Sequence, residues 1–168
     1  MSTNSSDVVS GLQYFYITEC DISDFCNLQW KFNESSEMKV VAKMIRGEKC
    51  TTLHELFHEF SAALQFPYYF GENWNSFDEC VNDLEWLPAD AYILCISHSE
   101  QILKLPSSEV EIFFRTLLSA GQEWMSGRDL GAITTPSTPF KVVFHCTTGT
   151  SQNIAIKFHD LGIELRQL

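Results

Sequence analysis

Basic residues are scarce in this chain: 11 Lys and Arg stand against 22 Asp and Glu, a formal net charge of −11. That balance repels nucleic acid and anionic membrane and attracts basic protein surfaces, so neither nucleic acid nor membrane is an expected partner. Cys-x-x-Cys pairs are absent. The six cysteines, Cys20, Cys26, Cys50, Cys80, Cys95 and Cys146, are widely spaced, which argues against a zinc ribbon or a thioredoxin-type redox site and favours buried small apolar residues. Met1 to Asp7 lacks the positive start and apolar run of a signal peptide, and no stretch approaches a membrane span. The expectation is a cytoplasmic protein with reduced thiols and no cofactor. With 168 residues and 45% hydrophobic content, the chain can bury one sizeable core as a single domain.

Serine-rich Met1 to Ser6 reads as a disordered start. Leu12 to Thr18 is aromatic and β-branched enough for a strand, with Ile22 to Trp30 an irregular segment beside it. After the polar break Asn33 to Glu37, a strand is expected over Val40 to Ile45. Thr52 followed by Glu55 forms a capping box, opening a helix whose buried stripe is Leu53, Leu56, Phe57, Phe60 and Leu64. Tyr92 to Ile96 is a continuous apolar run, as expected of a strand covered on both faces. Ser108 to Met125 reads as a long helix, Gly127 to Pro139 as a long loop and Phe140 to Cys146 as a strand. Ser151 to Leu161 is a helix ended by Gly162, and Ile163 to Leu168 a strand, making a crossover that adds a strand to the sheet.

The run from Phe66 to Cys80, FPYYFGENWNSFDEC, is the most informative stretch. An aromatic turn closed by Gly71 leads into a helix whose apolar positions, Trp74, Phe77, Cys80, Val81 and Leu84, recur at three and four residues. Asn75, Asp78, Glu79, Asn82 and Asp83 are therefore expected to point away from the core. A solvated charged face is the bland reading, and Trp74 and Trp86 read as packing residues. Of Tyr68, Tyr69 and Phe70, one is expected to be buried and Tyr69 presented outward.

This run resembles the signature of the barstar family of bacterial ribonuclease inhibitors, with Pro67, Tyr69, Gly71, Glu72, Asn73 and Cys80 at the family's spacing. The resemblance extends over Met38 to Cys146. It implies an α/β fold in three layers: a small parallel β-sheet of three family strands plus one extra strand, packed with about four helices. Residues 1–36 are then an N-terminal leader with room for an extra strand, 37–146 the barstar-like domain and 147–168 a C-terminal helix-strand extension of the same domain. It implies an inhibitor rather than an enzyme, a cytoplasmic immunity protein or antitoxin that is monomeric when free. Its partner would be a basic ribonuclease or ribonuclease-like toxin. Glu79 matches the position of the family's key carboxylate, with Asn75 where an aspartate is usual one turn earlier, Asp78 where a tryptophan is usual, and Phe70 in place of a tyrosine. Tyr69, Gly71, Asn73, Asn75, Asp78, Glu79, Asn82 and Glu109 are the partner-binding candidates. A different basic protein is the alternative partner.

His54-Glu55-Leu56-Phe57-His58 also satisfies the zinc-protease pattern His-Glu-x-x-His, with a distant glutamate as third ligand. Against it, Glu55 already has a capping role, both histidines lie opposite the apolar stripe, and the extended metzincin continuation is broken.

Overall fold

The computed structural model describes residues 5–129, 131–132 and 134–168. Seven strands occur among them: β1 (Phe15–Glu19), β2 (Val40–Arg46), β3 (Ala91–Ser97), β4 (Arg128–Asp129), β5 (Thr134–Thr135), β6 (Phe140–Cys146) and β7 (Arg166–Gln167). The α-helices are α1 (Ser5–Ser10), α2 (Ile22–Asn33), α3 (Leu53–Leu64), α4 (Trp74–Asp83), α5 (Ser107–Ser126) and α6 (Ser151–Asp160). Five strands form one parallel sheet in the order β2-β3-β6-β1-β7.

Because alternate residues of a strand face opposite sides, the sheet feeds two cores. Ile45, Leu94, Ile96, Val142, Phe144, Phe15 and Ile17 pack under α3 to α6. Ala42, Ile93, Cys95, Val143 and Tyr16 pack under α1 and α2 with Val8, Phe25 and Phe32. The architecture is thus the expected α/β fold in three layers, but the sheet has five strands, one more than the three plus one expected, because β1 of the leader pairs with β6. Turn geometry fits its glycine at Gly47, where an added Cβ would lie 2.2 Å from the Ser97 carbonyl oxygen.

Several expectations change. Residues 22–30 are not irregular; they belong to α2, because Phe25, Leu28 and Phe32 recur at helical spacing and bury against the sheet. Gln29 and Asn33 of that helix hydrogen-bond to the Ala42 backbone, which closes part of the outer edge of β2. The loop 127–139 contains a two-residue hairpin, β4 with β5; its Leu130 and Ile133 lie outside the described residues. The last strand shortens to β7 and pairs with β1 rather than β6, so the crossover through α6 passes over a strand contributed by the leader. Of the disordered start, Met1–Asn4 lie outside the described residues, whereas Ser5 already begins α1.

Two polar side chains on β6 hold the leader in place. Lys141 Nζ donates to the carbonyls of Gly11 (2.6 Å) and Gln13 (2.8 Å). His145 Nδ1 accepts the His98 backbone N–H at 3.1 Å, which leaves Nε2–H to donate to the Cys20 carbonyl at 2.8 Å. Both side chains are buried, and burial lowers the pKa of each, that of Lys141 to about 8. Cys50, Cys80, Cys95 and Cys146 are buried, Cys20 and Cys26 half-buried, and all six are free thiols. Among the described residues, no helix is long and apolar enough to cross a membrane.

Candidate functional site: an acidic groove beside an aromatic loop

Helix α4 starts where it does because Asn73 caps it. Asn73 Oδ1 accepts the Ser76 N–H at 3.0 Å while Ser76 Oγ faces the Asn73 N–H, a reciprocal box. Gly71 N–H donates to the same hydroxyl at 3.1 Å, so the loop and the first turn of α4 are one hydrogen-bonded unit. A Cβ at Gly71 would meet Asn73 Nδ2 at 2.9 Å, which keeps that position small. Gly71, Asn73 and Asn75 are all exposed.

The apolar side of α4 is anchored by aromatic contacts. Trp74 packs edge-on against Phe57 (5.0 Å) and Phe77 (5.6 Å), and its indole N–H donates to Glu109 Oε2 at 2.7 Å. Trp124 on α5 donates to the Val81 carbonyl at 2.9 Å, and Trp86 donates to the Leu64 carbonyl at 3.0 Å, satisfying an end group of α3. Both Trp74 and Trp86 therefore serve as packing residues.

The outer side of α4 forms one wall of an open groove of about 450 Å³, lined by Tyr69, Asp78, Glu79, Cys80, Asn82, Asp83, Glu123 and Arg128. Glu79 and Asp83 are exposed, and neither forms an ion pair among the described residues. Asp78 is half-buried; desolvation first, then Glu123, raises its carboxyl pKa, with Arg128 opposing. Arg128 itself pairs with Glu123. Partial desolvation and the Asp83 carboxylate push the Tyr69 hydroxyl up. Burial pushes the Cys80 thiol up to about 11, so it stays protonated and is no nucleophile at neutral pH.

Asn82 does not point away from the core as expected. It is 6% exposed, and its Nδ2 donates to the Asp78 carbonyl (3.0 Å) and Asp78 Oδ1 (3.2 Å). Its Oδ1 has no hydrogen-bond partner among the described residues. Its amide folds back onto Asp78, one helical turn earlier, instead of extending into solvent. None of the three loop aromatics is buried: Tyr68 is fully exposed, Tyr69 is 66% exposed, and Phe70 is half-covered against Phe66 and Phe57.

Residues 40–145 match the family described as Barstar (barnase inhibitor). The chain belongs to the barstar family. The matched segment holds the groove, the loop and three strands of the five-stranded sheet, β2, β3 and all of β6 but Cys146, while β1 and β7 lie outside it. A comparison with curated protein sequences finds no match. Among solved structures, one of the Aeropyrum pernix ORC2 protein, in ADPNP and ADP complexes, is similar with a TM-score of 0.56 at 10% identity. It matches 97% of this chain, and this chain spans 43% of that one. At that identity the likeness is one of fold.

The barstar-family groove brings Tyr69, Asp78, Glu79 and Asn82 together. Gly71, Asn73 and Asn75 lie outside its lining, and Glu109 is engaged by Trp74. Two lining residues escaped the sequence reading: Glu123 at the end of α5 and Arg128 in β4. Neither sits in a motif; only the return of α5 beside α4 places them there.

Proposed function

We propose that this protein binds and inactivates a basic ribonuclease or ribonuclease-like toxin, seating a cationic active site over the groove between Tyr69 and α4. The observation that carries the reading is the lining itself: four carboxylates, Asp78, Glu79, Asp83 and Glu123, face one guanidinium, Arg128. A ribonuclease must gather lysine, arginine and histidine to hold phosphate, so its catalytic cleft is positive and concave. An unpaired Glu79 is the natural counter-charge, and long-range attraction from a chain of net charge −11 speeds encounter. The unpartnered Asn82 Oδ1 adds a buried acceptor beside the carboxylates, which a donor from the partner would satisfy.

Membership of an inhibitor family supports a binding role without catalysis. So does Glu55, the base that the His-Glu-x-x-His pattern would use, whose Oε2 accepts from Thr51 Oγ1 (2.9 Å) and the Thr52 N–H (3.1 Å) in the cap. The test is a pull-down followed by an RNA-degradation assay of the captured protein with and without this chain. Capture of a nuclease that the chain silences supports the reading. Capture of a basic protein that does not cut RNA would replace it with a different interaction role.

A further inference from the structure

Helix α3 carries His54 and His58 one turn apart on its exposed face, and Glu72 reaches across to both from the aromatic loop. Glu72 Oε2 lies 3.3 Å from His54 Nδ1, and Oε1 lies 3.2 Å from His58 Nε2. The imidazole rings are 4.0 Å apart between centroids, and one ligand atom from each of the three residues lies within 4.8 Å of the other two. Zinc bonds of about 2.0–2.2 Å at tetrahedral angles separate ligand atoms by roughly 3.3–3.6 Å. Each ring nitrogen stands close to that spacing from a different oxygen of the Glu72 carboxylate, and the set of one atom per residue, within 4.8 Å, needs only small rotations of exposed side chains to close on an ion.

We propose that His54, His58 and Glu72 bind a divalent ion of the zinc class, and that the ion fastens the partner-binding loop to α3. Two imidazole nitrogens and one carboxylate oxygen suit zinc rather than calcium or magnesium, which take oxygen ligands. The acidic chain favours cation entry. Glu72 adopts φ 49°, a left-handed conformation uncommon outside glycine, and it is held there between the Gly71–Ser76 bond and the Asn73 cap. That backbone is what aims its carboxylate at the histidines instead of at the groove. The site is not a protease centre. Glu55 is spent on the helix cap, and the three ligand side chains are 69%, 56% and 47% exposed, which leaves no dry cleft for a substrate.

The inference goes beyond nuclease binding and is tested on the free chain of 168 residues, so its failure leaves the inhibitor reading untouched. Equilibrium dialysis against zinc should give one ion per chain, and cobalt(II) should show visible ligand-field bands without sulfur charge-transfer bands. His54→Ala, His58→Ala and Glu72→Gln should each weaken zinc binding at least about tenfold, since even outer-shell losses cost 10–100-fold. All three positions are exposed, and a melting curve without metal shows that each variant folds. Zinc should also slow amide hydrogen exchange over residues 69–73 in the parent and not in His58→Ala. Sulfur bands, affinity within threefold of the parent in the variants, or loop exchange indifferent to zinc would each overturn the proposal.

Discussion

The indole N–H of Trp74 donates to Glu109 Oε2 at 2.7 Å, joining the first turn of α4 to the first turn of α5. A hydrogen bond to a charged acceptor contributes about 1.5–3 kcal/mol, so Glu109→Ala should lower folding stability by about that amount in urea titrations. Glu109→Gln keeps an acceptor and should lose less than half as much. If both variants bind the partner as the parent does, Glu109 belongs to the helix contact alone.

Glu79 should be the anchor of the acidic face. Glu79→Ala is expected to cost about 2 kcal/mol or more of partner binding, the threshold of a hot spot, while leaving the melting temperature nearly unchanged because the side chain is exposed. Isothermal calorimetry with the captured nuclease measures it. A loss under about 0.5 kcal/mol would place the anchor elsewhere.

Asp78 should oppose folding at neutral pH. Its folded pKa is raised by desolvation and by Glu123, so the native state binds more protons than the unfolded chain between the unfolded value, about 3.9, and the raised one. Its contribution to stability therefore falls as pH rises through that window and stays unfavourable above it. Asp78→Asn should raise the melting temperature at pH 7, with the gain vanishing as pH falls below that window. The same change should weaken partner binding, because a cationic partner relieves the repulsion that the free protein carries.

Lys141 gives the opposite slope. Its folded pKa is about 8 against an ordinary 10.5, so between those values the unfolded chain holds the extra proton and stability rises with pH. Urea titrations from pH 7.5 to 10.5 should show that rise in the parent, superimposed on other groups. Lys141→Met should remove this component and also release the leader, whose Gly11 and Gln13 carbonyls it binds.

Much of the fold could be read directly from the chain. Thr52 with Glu55 and the stripe through Phe60 announce α3, and the apolar run at Tyr92 announces β3, because capping and burial periodicity act over a few residues. The leader was harder to place. Its Leu28 and Phe32 carry a helical signal, but what makes β1 an interior strand is a pairing of Phe15 with Val142 far along the chain.

By itself the sequence determined the excess of negative charge, the order of the helices and central strands, and the aromatic loop running into α4, since composition and local spacing decide these. Tertiary structure alone decided that Arg128 and Glu123 line the groove, that Asn82 turns inward and that Glu72 meets two histidines of another helix. Such meetings depend on how separate elements pack, and no window of neighbouring residues records them.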